Sequence, residues 1–276
     1  MRRLSVILLF YLFVFVCQAR ILRVLAIGNS FSQDAVESYL YDLALSNGDT
    51  LIIGNVYRPG QSLESHWSEI VRNEKRIEYR KIANGVKVNT KEKSMKDCIQ
   101  DEAWDYITFQ QSSSYSGISD SYEPYLSYLI GYVKSLALNP DVKFGFHMTW
   151  AYAKSSNHGA FHKYNSDQNI MYKAIVKSTV AMLNKHNTMI EYVIPSGIAI
   201  QKAREGVTGD NLCSDGYHLN KKGRYLAACT WLKCITEISP LGNKFRNNDF
   251  KEEEFYLYQC IADRALIDWG EMLKSE

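Results

Sequence analysis

The 276-residue sequence predicts a three-layer α/β/α protein on a doubly wound, mostly parallel five-stranded sheet. Three observations predict it. Apolar runs of four to eight residues recur, too short for helices and right for buried strands. Each ends abruptly in a polar or glycine-containing stop. Longer amphipathic segments alternate with them, the pattern of βα units joined by crossovers.

The first run is Val24-Leu25-Ala26-Ile27, halted by Gly28-Asn29-Ser30, with a helix expected from about Asp34 to Ser46. On its own, this stretch reads as a strand-to-helix turn in which Ser30 or Ser32 caps the helix. The second strand is Thr50 to Val56, ending at Tyr57-Arg58-Pro59-Gly60-Gln61-Ser62, with a helix from Ser65 to Arg72. From Ile77 to Val88 two alternating runs flank Asn84-Gly85, the strongest short hairpin signal. A β-hairpin insertion over about 77–90 is therefore expected. Ser94 to Glu102 reads as a short helix and Trp104 to Phe109 as strand three, ending at Gln110-Gln111-Ser112-Ser113-Ser114. A helix over Tyr122 to Leu138 is broken by Asn139-Pro140. Strand four, Val142 to Met148, runs into Thr149-Trp150-Ala151-Tyr152. A long helix, Asp167 to Asn187, precedes strand five, Ile190 to Ile194, and a short helix, Ile198 to Glu205. A loop containing Asp215-Gly216-Tyr217-His218 then leads into a helix reaching Ile238. A helical extension over about 241–276 closes the chain. No repeat or linker interrupts the pattern, so residues 20–276 read as one domain.

Residues 1–19 carry a separate signal. Arg2 and Arg3 precede an apolar run from Leu4 to Val16, and Cys17-Gln18-Ala19 places small residues at −3 and −1. That layout predicts a secretory signal peptide cleaved after Ala19, hence a periplasmic or secreted protein with no stable membrane insertion after cleavage. The apolar run is short of the ~20 residues that span a bilayer. Of 32 basic residues, loss of Arg2 and Arg3 leaves 30 against 30 acidic ones. A neutral chain has no electrostatic footprint for nucleic acid. Of six cysteines, five remain beyond the signal, at irregular spacing, which describes neither a disulfide framework nor a zinc site, though an exported protein has room for a bridge or two among them.

The polar stops collect at the carboxyl edge of the expected sheet, where ligands of such folds bind. The most informative is Asp215-x-x-His218, a carboxylate and an imidazole on one loop, within reach of each other. A general base needs such a partner to fix its tautomer. The plainer alternative is a helix-capping Asp beside a solvated His. His158 and His162, four apart, suggest no metal site, because no third ligand follows.

In order and spacing, Gly28-Asn29-Ser30-Phe31-Ser32, Gly60 and Asp215-x-x-His218 resemble the blocks of the SGNH (GDSL-like) hydrolases over roughly residues 21 to 235. Asn29 stands where that superfamily has Asp. The resemblance implies a flavodoxin-like sheet, with Ser30 as nucleophile, His218 as general base and Asp215 as its orienting partner. It also implies an oxyanion hole from the backbone N–H groups of Ser30 and Gly60, with Ser32 left as the helix cap. The superfamily's third donor, an Asn side chain, has no counterpart; Gln111, or Gln110, carries the same amide on one more methylene. Trp150, His66 and Tyr217 are candidate substrate contacts, whereas His147 reads as a core residue.

The expected function is an exported serine esterase removing an O-acyl group, acetyl foremost, from carbohydrate without a cofactor or metal. A lipase or thioesterase is the near alternative. A non-catalytic glycan-binding protein on the same fold is the alternative of a different class.

Overall fold

The computed structural model describes residues 20–275, and the expected signal peptide lies outside them. Five strands are parallel: β1 (Ile21–Ile27), β2 (Thr50–Tyr57), β5 (Tyr106–Phe109), β6 (Lys143–His147) and β7 (Tyr192–Ile194). Their spatial order is β2-β1-β5-β6-β7. Order reverses beside β1, so the crevice for a ligand opens between the carboxyl ends of β1 and β5.

The hairpin does more than decorate this core. Strands β3 (Ile77–Ala83) and β4 (Val86–Lys93) join it antiparallel along β2, giving one mixed seven-stranded sheet. Asn84 and Gly85 both have positive φ, 52° and 72°, the two-residue turn whose twist matches the flanking strands. Arg80 of β3 lies 3.5 Å over the Tyr57 ring and so anchors the hairpin to the end of β2.

Helices cover the sheet. Helix α1 (Ser30–Val36) and α2 (Leu40–Ser46) pack on α8 (Lys221–Thr236), which also meets α7 (Ser196–Glu205) and α9 (Glu252–Ser275). A second group is α3 (Leu63–Val71), α4 (Met95–Ile99) and α5 (Tyr125–Leu136). Helix α6 (Gln168–His186) lies against α7. The C-terminal segment is thus part of the helical layer: Phe255, Tyr258, Ala262 and Ala265 of α9 are buried in the common core. Among the described residues, no helix is long and apolar enough to cross a membrane. The five cysteines there are free thiols, and no group of His, Cys, Asp or Glu is arranged to hold a metal ion.

The first helix starts earlier than its apolar pattern suggests. It begins at Ser30, and Asn29 is its cap, the side-chain oxygen accepting the Phe31 N–H at 2.9 Å. Ser32, expected as the cap, lies inside α1, its hydroxyl donating to the Asn29 carbonyl and to Asn55. The expected single helix is two, α1 and α2, separated by Glu37 to Tyr39. Apolar periodicity missed the first turn because Ser30, Ser32 and Gln33 are polar.

Candidate active site

Residues 188 positions apart meet at the carboxyl edge of β1. Ser30 occupies the first position of α1, where its N–H has no partner within the helix and the helix dipole favours negative charge. Its Oγ lies 2.9 Å from His218 Nε2, and His218 Nδ1 lies 2.7 Å from Asp215 Oδ2. A carboxylate only accepts, so the neutral imidazole carries its proton on Nδ1 and leaves Nε2 free to accept a hydrogen bond from the Ser30 hydroxyl.

The loop holding Asp215 and His218 is fixed on several sides. Asp215 Oδ1 accepts the N–H groups of His218 and Tyr217, at 2.8 and 3.1 Å. Partial burial pushes its carboxyl up, but these bonds and the imidazole outweigh that and hold it below its ordinary value. The loop ends are tied by Asn220 N–H to the Leu212 carbonyl, 2.9 Å. Trp150 Nε1–H donates to the Tyr217 carbonyl at 2.8 Å. Gly216, at φ 90°, accepts the Ala153 N–H at its carbonyl, and a Cβ there would stand 2.8 Å from the Ser156 backbone. Beneath the loop, Asp34 of α1 accepts the Leu219 N–H at 2.7 Å and pairs with Arg224 at 2.7 Å. Burial pushes the Asp34 carboxyl up to about 6 against the pull of Arg224.

Ser30 and His218 open onto a cleft of about 270 Å³. Gly60, at φ 65°, forms one wall with Pro59 and Tyr57, and its α-carbon faces open space. Ser112, Ser113 and Ser114 form another wall, and Tyr217 and His158 a third. The His158 ring lies 4.7 Å from those of Tyr217, which it meets edge-on, and Tyr152, to which it is tilted. Tyr57 and Pro59 also border a hollow of about 410 Å³ that carries Arg58, Lys75, Arg76 and Lys91. A larger hollow, about 930 Å³, lies among the 207–211 loop, α8 and α9 and contains none of Ser30, Asp215 and His218.

Several expected site residues lie elsewhere. Trp150 is fully buried, stacked 4.4 Å on Phe31, and braces the loop from beneath instead of lining the cleft. His66 is buried too; its Nε2–H donates to the Gly28 carbonyl at 3.0 Å, and burial lowers it to about 4. It supports the turn before Ser30 and stands outside the cleft. Tyr217 does line the cleft. His147, read as core, is buried between Gln110 and Ser196.

Neither glutamine offers its amide to the cleft. Gln111 Nε2 donates to the Ser121 carbonyl and hydroxyl, and Gln110 Nε2 donates to Asn29 Oδ1 at 2.7 Å. Both are buried, and buried acceptors such as Asn29 Oδ1 require donors. Asn29 in turn donates Nδ2–H to the Gln61 carbonyl at 2.9 Å. Gln110 and Asn29 therefore join the ends of β1, β2 and β5. Sequence reasoning missed Asp34, Ser112 and the cleft position of His158. Asp34 did leave a signal, lying one helical turn beyond Ser30.

The mixed sheet with helices on both faces is the fold of the SGNH hydrolase-like proteins. A candidate SGNH hydrolase from Slackia heliotrinireducens shares it at TM-score 0.53 and 19% identity, covering 79% of this chain and 100% of that one. A candidate GDSL-like lipase from Parabacteroides merdae does so at TM-score 0.50 and 12% identity, covering 79% and 97%. The chain itself belongs to the DUF4886 family, a domain of unknown function whose model matches residues 23–265. A DUF4886 protein from Bacteroides uniformis is 40% identical, with TM-score 0.86 over 90% of this chain and 95% of that one. No functionally curated protein matches the sequence.

Proposed function

We infer that this protein is an exported serine esterase that removes a short O-acyl group, acetyl foremost, from carbohydrate. The observation that carries this reading is the unbroken relay from Ser30 Oγ to His218 to Asp215, at 2.9 and 2.7 Å. Ser30 Oγ attacks the ester carbonyl carbon while His218 Nε2 takes its proton. The oxyanion forms against the N–H groups of Ser30 and Gly60. Collapse breaks the bond to the alcohol, which leaves with the proton from His218. Water, deprotonated by His218, then attacks the acyl-enzyme, releases the acid and restores the Ser30 hydroxyl. Asp215 holds the imidazole in the tautomer that both steps need.

The small cleft supports a short acyl group over a long one. Tyr57, Tyr217 and His158 in its lining support a sugar, whose apolar ring faces pack on aromatic rings. Export rests on the pattern of residues 1–19. The test is turnover of p-nitrophenyl acetate and acetylated oligosaccharides by the mature chain beside Ser30→Ala. Turnover by the first and a loss of at least about 10³-fold in the second are expected. A serine-directed phosphonate should label Ser30. Equal rates for the two proteins, or label on another serine, would overturn the reading.

A further inference from the structure

Ser112 has a hydroxyl that the fold leaves without employment. The residue is 3% exposed, lies at the carboxyl end of β5 and lines the cleft with Ser30, Gly60 and His218. Its Oγ is buried and has no hydrogen-bond partner among the described residues. The neighbouring hydroxyls do: Ser113 Oγ meets the Tyr152 hydroxyl at 2.9 Å, and Ser116 Oγ donates to the Ser113 carbonyl. A buried hydroxyl without a partner is uncommon and calls for a ligand or a role.

The backbone around Ser112 is held firmly. Gln111 Oε1 accepts the Ser112 N–H at 2.8 Å and also the N–H of Leu63 at 3.2 Å. Leu63 opens α3, three residues beyond Gly60. Two bonds from Gln111 to Ser121 lock the other end of the same amide. One carboxamide thus fixes Ser112 relative to the Gly60 turn. The glutamine expected to be a donor is instead the clamp for its neighbour.

We propose that the Ser112 hydroxyl is the third oxyanion donor of this site. It donates its O–H to the carbonyl oxygen that becomes negative when Ser30 attacks, beside the N–H groups of Ser30 and Gly60. It keeps its own proton throughout. A hydroxyl can serve because it donates along a rotor that follows the oxygen, and because its donor is unspent before substrate arrives. This assignment rests on the serine-esterase reading.

The test uses the mature chain with Ser112→Ala and Ser112→Thr, beside Ser30→Ala. Four quantities are read: kcat and KM on p-nitrophenyl acetate, inhibition by phenylboronic acid, whose tetrahedral adduct mimics the intermediate, and thermal midpoint. Ser112→Ala should lower kcat about 10²-fold with KM within about twofold. Its affinity for the boronate should fall by a similar factor. Ser112→Thr, which keeps the hydroxyl, should retain kcat within about tenfold of wild type. The thermal midpoint of Ser112→Ala should match or exceed wild type, since an unpartnered hydroxyl is removed; a lowered midpoint with unchanged kcat would mark a structural role and overturn the proposal. So would a change in KM alone, equal losses in Ala and Thr, or undiminished kcat and boronate affinity in Ser112→Ala while Ser30→Ala is dead. In that last case the esterase reading survives. Wild type that neither turns over esters nor binds the boronate overturns both.

Discussion

The Asp34 carboxylate accepts the backbone N–H of Leu219 at 2.7 Å, and that bond sets the spacing between two halves of the site. Asp34 lies four residues past Ser30 on α1, and Leu219 is the residue after His218. The serine and the imidazole therefore have neighbours locked together one helical turn below them.

Asp34→Ala removes this lock, leaves the Leu219 N–H buried without an acceptor and takes the carboxylate partner from Arg224, which keeps its bond to the Leu219 carbonyl. A hydrogen bond to a charged group is worth about 1.5–3 kcal/mol, so a stability loss of that order is expected in urea unfolding. A base displaced by about 1 Å costs on the order of 10²-fold in kcat. Asp34→Asn keeps an acceptor for Leu219 and escapes the burial that pushes the Asp34 carboxyl up. It should hold kcat within about tenfold of wild type. An alanine variant with wild-type kcat would show that the loop needs no such support.

The parallel sheet was legible because its strands announce themselves as short apolar runs with polar stops, and Asn84-Gly85 announces the hairpin. Ser30, Gly60, Asp215 and His218 were legible because order and spacing along the chain survive folding. Side-chain direction was not. Trp150 and His66 stand beside site residues in sequence, yet each turns into the interior: one stacks on Phe31, the other reaches the Gly28 carbonyl. The chemistry of Gln110 and Gln111 shows that they can donate. Only the fold shows that Asn29 and Ser121 already take those donors.

Asn29 is where the first motif departs from Gly-Asp-Ser, and its partners explain the amide. Its oxygen accepts from Phe31 and Gln110, as a carboxylate would, but its Nδ2–H donates to the Gln61 carbonyl. In Asn29→Asp that donor becomes an oxygen facing another oxygen, at a position 2% exposed. A negative charge at the start of α1 returns about 0.3–1 kcal/mol. Losing the buried hydrogen bond costs about 1–3 kcal/mol, so a net fall in stability is expected. The turn bearing Gly60 loosens with it, and kcat should drop more than KM changes. Thermal melts and steady-state rates check both; an Asp variant as stable and active as wild type would refute the joining role of this amide.

Stability should fall as the solution is acidified, and two buried imidazoles set the window. Burial lowers His66 to about 4 and His147 to about 3. In the unfolded chain both bind protons near pH 6.5, so protonation pulls towards unfolding. Their contribution is complete above about pH 6.5 and is lost as pH falls towards 4 and 3. At pH 5 each costs about 2 kcal/mol relative to pH 7. Asp34 acts in the opposite sense. Its raised value, about 6, means that the folded chain holds a proton there that the unfolded chain has released, and moving from pH 7 to 5 returns about 1 kcal/mol. The balance is a loss of about 3 kcal/mol, or roughly 6–10 °C in thermal midpoint for a domain of this size. Melts at pH 7 and pH 5 measure it directly. His147→Gln, with one imidazole gone, should show a smaller difference between the two pH values than wild type, whatever its absolute midpoint. A wild-type midpoint that does not move between them would mean that these imidazoles are not held neutral by the fold.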